Sequence, residues 1–228
     1  MSDIAENVRR VKERMEAAAR RVGRKPEEIR LVTVSKTVDA ERVLQAVQAG
    51  VEILGENYVQ EGKKKIDRVG HQVGWHFIGH LQTNKAKIAV RLFDLIHSVD
   101  NLELAEELNR AADQQGKVLP ILLQMNLSRE ATKFGAAEEE ILKMAEQICR
   151  MPALAVSGLM TLPPYFENPE EARPYFIHLR ELGERLRREN IPRLAMRELS
   201  MGMSNDFEAA IEEGATLVRV GTAIFGPR

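Results

Sequence analysis

The chain has 228 residues, 44% of them hydrophobic, which is enough apolar material for one large domain or two small ones. Its 33 basic and 34 acidic side chains give a formal net charge of −1, which excludes the strongly basic composition typical of proteins that bind nucleic acid or anionic membranes. Cys149 is the sole cysteine, so no intramolecular disulfide can form, and its helical apolar context predicts a buried structural thiol. With no signal-like or membrane-length apolar stretch, we expect a cytoplasmic protein.

Short apolar runs alternate with amphipathic segments along the whole sequence. The strand-like runs are 30–36, 51–55, 75–79, 94–99, 119–126, 154–161, 197–201 and 216–221. An amphipathic helix precedes the first run, and its apolar face contains Ile4, Val8, Val11, Met15 and Val22. Basic runs such as Lys63–Lys65 have acidic neighbours on a helical pattern, so they are interpreted as solvated helix faces.

Several helix ends have recognisable signals. Asp39 is a predicted N-cap, and Gly50 is the predicted stop of the same helix. Asn168-Pro169 is expected to open a long helix whose first turns Pro174 distorts. The segment 205–208, Asn-Asp-Phe-Glu, has the spacing of a capping box.

Eight strand–helix units in about this length predict a (β/α)8 TIM barrel, read as a single domain over residues 1–228 with an extra N-terminal helix. An open doubly wound sheet is the alternative fold. That fold often has a glycine-rich turn after its first strand, whereas the first turn here carries Lys36.

In a TIM barrel the functional groups lie at the C-terminal ends of the strands. These ends are Lys36-Thr37, Glu56-Asn57, His80, Ser98, Asn126, Met160-Thr161, Ser200–Ser204 and Gly221-Thr222. Lys36 is the only lysine among them. Partial burial lowers the pKa of a lysine from about 10.4, which makes more free amine available to attack a carbonyl, although a strand-ending lysine often extends into solvent instead.

The last two strand ends are rich in small and hydroxyl residues. TIM barrels frequently bind phosphate with the loops after strands 7 and 8, where backbone N–H groups approach the anion, although Gly202, Gly221 and Gly226 also suit ordinary tight turns. Arg219 lies two residues before Gly221 on the same face of its strand. It faces either a polar ligand or an acid such as Glu56 or Glu198.

His76 and His80 are four residues apart on a strand-like run, and no third ligand lies nearby in the sequence. A zinc site is therefore not expected. His80 remains a candidate lining residue of the pocket.

Seven segments together resemble one known family. They are Val34–Thr37, Gly55–Glu61, Trp75–Lys85, Lys133–Gly135, Gly158–Thr161, Met201–Ser204 and Arg219–Gly226. In this order, and nearly end to end, the sequence resembles the pyridoxal phosphate homeostasis proteins, also known as proline-synthetase co-transcribed homologues.

The resemblance implies a barrel like the N-terminal domain of alanine racemase, with pyridoxal 5′-phosphate (PLP) held as a Schiff base on Lys36. It implies that Ser200, Gly202, Gly221 and Thr222 hold the phosphate, that Asn57 lies near the phenolic oxygen, and that Arg219 faces the pyridine nitrogen. Met203, Ser204 and His80 would line the site. An arginine repels the proton that activates the PLP ring, so weak catalysis is expected.

The resemblance implies a non-catalytic carrier that takes part in PLP homeostasis and has PLP-dependent apoenzymes as candidate partners. It is expected to be a monomer or a weak homodimer. An amino-acid racemase of the alanine type is the alternative, but none of Tyr58, Tyr165 and Tyr175 occupies a position that can be equated with the second base of such an enzyme. An aldolase using Lys36 on a sugar phosphate is a remote third interpretation.

Overall fold

A computed structural model describes residues 3–128 and 134–227. Eight parallel strands in these residues pair in sequence order, and the eighth strand pairs with the first, so the sheet closes into a barrel. The strands are β1 Arg30–Val34, β2 Ile53–Glu56, β3 Gly74–Phe77, β4 Leu95–Val99, β5 Leu119–Met125, β6 Leu154–Thr161, β7 Glu198–Ser200 and β8 Leu217–Val220. The predicted (β/α)8 barrel is confirmed, and each strand lies within or close to its predicted run.

Helices alternate with the strands. They are α1 Ile4–Arg21, α2 Ala40–Gln48, α3 Val59–Val69, α4 Ala86–Leu92, α5 Leu102–Asp113, α6 Glu138–Cys149, α7 Arg173–Arg188, α8 Phe207–Glu212 and α9 Thr222–Phe225. Helix α1 is the predicted extra helix, although Val22, predicted on its apolar face, follows its last residue and is exposed. No helix within the described ranges is both long and apolar enough to cross a membrane.

The helix-end predictions have mixed outcomes. Asp39 caps α2 by accepting a hydrogen bond from the Arg42 backbone N–H at 2.9 Å, and Gly50 follows the helix with φ +84°, as predicted. Asn168 instead caps a 3-10 turn at Pro169–Ala172, and α7 begins only at Arg173. Pro174 therefore does not distort the helix, because its missing N–H falls in the first turn, where no helical partner exists.

The predicted capping box before α8 is also wrong. The Asp206 side chain accepts from the backbone N–H of Met203 at 2.5 Å, and it makes no capping hydrogen bond to the helix. The carboxylate is therefore used to fold the loop that precedes α8.

Two apolar clusters form the core. The larger one lies between the sheet and the helices, and it includes Trp75, Phe93 and Cys149, the thiol predicted to be buried. The smaller one fills the barrel interior and contains Val32, Val34, Ile53, Ile78, Leu95, Leu122, Met160 and Leu217. Side chains alternate between the two faces of a strand. A residue that lies an even number of positions after an inward-facing residue therefore also points inward, and just beyond the strand end it points to the mouth of the barrel.

Candidate functional site

A cavity of about 300 Å³ opens at the C-terminal ends of the strands. Seven of the ten predicted site residues line it, namely Lys36, Asn57, Met203, Ser204, Arg219, Gly221 and Thr222. They come from the ends of β1, β2, β7 and β8, which are adjacent around the closed sheet. The structure therefore brings together residues that are far apart in the sequence.

Lys36 lies two residues beyond the end of β1, in the turn that follows the strand. Val32 and Val34, four and two residues earlier, face the barrel interior. The Lys36 side chain lies on the same side and reaches the cavity. The residue is half-buried. Next to it, Thr37 has φ +62°, a left-handed conformation that costs energy in a non-glycine residue and must be held by its surroundings.

Buried charged groups lie beneath this turn. The Lys65 ammonium donates to Glu56 Oε1 at 2.7 Å, to Glu61 Oε1 at 2.8 Å and to the Ser35 carbonyl. Glu61 Oε1 also accepts from the Thr37 backbone N–H at 2.5 Å, and the Ser35 hydroxyl donates to Glu56 Oε1 at 2.6 Å. Both neighbours of Lys36 are thus held by one cluster.

Sequence reasoning missed this cluster. Lys65 was interpreted as part of a solvated basic face, but it is buried with 5% exposure. Burial raises the pKa of Glu56, while the hydrogen bond and charge of Lys65 oppose that rise. The only sequence signal was the i,i+4 spacing of Glu61 and Lys65 on one helix face.

Arg219 is the second cation of the site. It is 3% exposed, its Nη1 donates to Ser200 Oγ at 2.5 Å, and its Nη2 donates to the Thr161 carbonyl at 2.8 Å. Burial lowers its pKa to about 10, so the guanidinium remains charged near neutral pH.

The acids suggested as partners of Arg219 pair elsewhere. Glu56 binds Lys65, and Glu198 binds Arg30 at 2.6 Å. No salt bridge to Arg219 is present in the described part of the chain, so that interpretation is not supported there, and the interpretation that Arg219 faces a polar ligand remains.

Ser200 and Gly202, two of the predicted phosphate ligands, do not line the cavity. The Ser200 side chain is fully buried and its hydroxyl binds Arg219 and His97. Gly202 has φ +89°, and its carbonyl accepts from the Arg219 backbone N–H at 2.9 Å. A Cβ at Gly202 would lie 2.5 Å from the Ala210 Cβ, so the close packing of this turn requires glycine.

Ser204 stands over the start of α9. Its Oγ accepts long hydrogen bonds from the backbone N–H groups of Gly221 and Ala223, at 3.2 and 3.4 Å. These donors point at one oxygen atom in the cavity wall, which is the arrangement that a bound anion uses. Asn57 also lines the cavity, and its buried Oδ1 has no hydrogen-bond partner among the described residues.

His80 lies at a neighbouring cavity of about 500 Å³ that shares Asn57, Ile78 and Leu162 with the Lys36 cavity. Its exposed ring stacks on Phe134, with centroids 3.8 Å apart. His80 therefore does not join the other site residues. Lys133, part of one motif of the family resemblance, lies outside the described residues.

Tyr165 and Asp206 line the Lys36 cavity although neither was among the predicted site residues. Tyr165 is 76% exposed and belongs to the loop after β6. Its position in a long loop gave no periodic signal that sequence analysis could use.

Comparison with known proteins agrees with this fold. Residues 2–228 match the family model of the alanine racemase N-terminal domain. The pyridoxal phosphate homeostasis protein of Aquifex aeolicus is 45% identical over 227 residues, covering 99% of each chain. The protein of the same name from Escherichia coli K12 is 41% identical, over 100% of this chain and 98% of that one.

Solved structures give the same result. PipY of Synechococcus elongatus, in a structure with PLP bound, is similar with a TM-score of 0.84 and 35% identity, covering 98% of this chain and all of that one. Alanine racemase of Clostridium difficile has a TM-score of 0.76 at 16% identity, which shows the shared fold, and the match covers 57% of that enzyme. This chain belongs to the pyridoxal phosphate homeostasis protein family, which is built on the alanine racemase N-terminal domain.

Proposed function

We propose that this protein binds PLP covalently at Lys36 and takes part in PLP homeostasis as a carrier without robust catalysis. The observation that carries the proposal is that the half-buried Lys36, the Arg219 cation and the Gly221–Thr222 turn line one and the same cavity. These groups supply an amine, a positive charge and anion donors within one small volume. A phosphorylated aldehyde needs all three.

The residues fit the shape and polarity of PLP. The Ser204 hydroxyl and the backbone N–H groups of Gly221 and Ala223 already converge, so they can bind the phosphate oxygens. Thr222 and Met203 complete this end of the cavity. The amide oxygen of Asn57, which has no partner among the described residues, is a further polar group of this cavity that a ligand would satisfy.

The charge of Arg219 argues for holding PLP rather than using it. When bound, PLP supplies a ring that withdraws electrons from an attached amino acid, most effectively with a protonated pyridine nitrogen. A guanidinium has donors only and carries a positive charge. Arg219 would therefore donate to the pyridine nitrogen and disfavour its protonation.

The relatives support the same function. Two of them carry the name pyridoxal phosphate homeostasis protein, and the Synechococcus structure has PLP bound. PLP-dependent apoenzymes are the proposed recipients. To test delivery, a PLP-free apoenzyme is incubated with the PLP-loaded protein in the presence of a scavenger of free PLP. Delivery is shown by recovery of the activity of the apoenzyme.

Borohydride reduction followed by peptide mass spectrometry tests the attachment. PLP-loaded wild type should carry the reduced adduct on Lys36, and Lys36→Ala should carry none. Lys85→Ala is the matched control, because Lys85 lines the neighbouring cavity and not this one. An adduct that persists elsewhere in Lys36→Ala at wild-type yield would contradict the assignment.

A racemase is the second candidate, favoured by one observation. Tyr165 lines the same cavity as Lys36, so a second acid–base group is available at the mouth. Deuterium exchange at the α-carbon of alanine separates the two functions. Exchange far above that of free PLP, accompanied by conversion of L-alanine into D-alanine and lost in Tyr165→Phe, would establish a racemase and overturn the carrier.

A further inference from the structure

Buried polar side chains cross the barrel interior from β8 to β3. Arg219 Nη1 lies 2.5 Å from Ser200 Oγ, Ser200 Oγ lies 2.8 Å from His97 Nδ1, and His97 Nε2 lies 3.0 Å from His76 Nδ1. All four side chains are buried, with exposures of 0 to 6%. We name these four residues the relay.

One direction of the relay gives every donor in it, including the Ser200 hydroxyl, an acceptor. A guanidinium only donates, so Ser200 Oγ accepts from Arg219. The Ser200 hydroxyl hydrogen then has one acceptor among the described residues, Nδ1 of His97. In this arrangement His97 carries its hydrogen on Nε2 and donates it to Nδ1 of His76, which also carries its hydrogen on Nε2.

The surroundings favour this neutral form of both rings. Burial, and then the charge of Arg30, lower the pKa of His76 to about 3. Burial, followed by the neighbouring His76, Arg219 and Arg30, holds the pKa of His97 well below its usual value. Neither ring is therefore protonated near neutral pH.

The relay gives Arg219 an unusual environment. In residues 3–128 and 134–227 its side chain donates to a hydroxyl and a backbone carbonyl, and to no carboxylate. The charge of Asp206 favours the charged guanidinium, but the Asp206 carboxylate accepts its hydrogen bond from the Met203 backbone N–H. The positive charge is thus held in place without being neutralised by a direct ion pair.

We propose that Ser200, His97 and His76 are positioning residues that hold the Arg219 guanidinium in the wall of the Lys36 cavity and leave its charge available to the ligand. His97 fixes the Ser200 hydroxyl so that its lone pair faces Arg219, and His76 fixes the tautomer of His97. This inference rests on the proposed function, because the group that Arg219 would face is the pyridine nitrogen of PLP.

The histidine tautomers test the direction of the relay without PLP. Long-range ¹H–¹⁵N NMR of the ligand-free protein should show both His97 and His76 with hydrogen on Nε2 and none on Nδ1. Hydrogen on Nδ1 of His97, or an imidazolium at neutral pH, would overturn the relay. Because this measurement uses the wild-type protein, it does not depend on the folding of any variant.

Ser200→Ala tests the positioning of Arg219. We expect its affinity for PLP to fall about tenfold, the usual effect of losing a hydrogen bond to a charged group, and the visible absorbance of bound PLP to shift. Ser98→Ala is the matched control, since Ser98 is a buried serine whose Oγ has no partner among the described residues. Ser200→Thr keeps the hydroxyl and should recover the wild-type spectrum.

The outcomes separate the two proposals. If wild type binds no PLP, the proposed function fails, and the role of Arg219 fails with it. If wild type binds PLP and Ser200→Ala matches Ser98→Ala in affinity and spectrum, the positioning role alone is overturned.

Discussion

Lys65 and Glu56 form a buried ion pair, with Nζ 2.7 Å from Oε1, directly beneath the turn that carries Lys36. Glu56 has no exposed surface, and its second oxygen has no partner among the described residues. The pair binds Ser35, and through Glu61 it binds Thr37. The position of Lys36 therefore depends on charges that lie outside the cavity.

We expect Lys65→Met to lower the free energy of unfolding by about 3 kcal/mol, because it leaves Glu56 buried without a countercharge. Denaturant titration measures the loss. Arg68→Met is a matched control on the same helix, since Arg68 pairs with Glu41 on the surface and should contribute less than about 1 kcal/mol. Equal losses in the two variants would contradict the importance assigned to the buried pair.

Ser204→Ala should weaken the binding of PLP about tenfold while leaving the binding of pyridoxal, which has no phosphate, nearly unchanged. The reason is that Ser204 Oγ lies where the N–H groups of Gly221 and Ala223 converge. Fluorescence titration with both ligands measures the ratio. Ser157→Ala is the control, because the Ser157 hydroxyl donates to the Ala155 carbonyl of its own strand and the residue lies outside the cavity. A parallel loss for both ligands would show that Ser204 does not bind the phosphate.

Gly202→Ala should destabilise the protein by about 2 kcal/mol or more, because a Cβ would lie 2.5 Å from the Ala210 Cβ and 2.9 Å from the Phe207 Cα, at φ +89°. Gly116→Ala separates the backbone cost from the clash. Gly116 also has a positive φ, +64°, but has nothing within 4 Å of the added atom, so about 1 kcal/mol is expected. Thermal and denaturant unfolding measure the loss of stability in the two variants. Similar losses in Gly202→Ala and Gly116→Ala would contradict the argument from close packing.

Stability should fall in acid through His76 and His97. Both have a lower pKa in the folded protein, about 3 for His76, so below about pH 6.5 protons bind the unfolded chain first. The stabilisation present above the unfolded pKa is then lost as pH falls, by about 1.4 kcal/mol per pH unit for each histidine.

Unfolding free energies measured between pH 7 and 5 test this dependence. His76→Gln should reduce the slope by about half. The exposed His71 offers the matched variant, His71→Gln, against which the slope of His76→Gln is compared. If the free energy of unfolding of the wild type does not change between pH 7 and 5, the conclusion that His76 and His97 are buried in the neutral form is contradicted.

The sequence by itself determined the barrel and the group of strand ends at its mouth. Eight apolar runs of suitable length predict eight parallel strands, and parallel strands bring their C-terminal ends to one face. That argument alone put Lys36, Asn57, Gly221 and Thr222 near one another. It needs only periodicity and order along the chain, which are local properties of the sequence.

The tertiary structure decided which polar groups bind one another. Arg219 binds Ser200 and not Glu56 or Glu198, Lys65 is buried and not solvated, and His80 faces a neighbouring cavity. Each of these contacts depends on the register between strands, or on the rotation of a helix against the sheet. Register and rotation are set by packing between residues that are distant in sequence, so no local pattern encodes them.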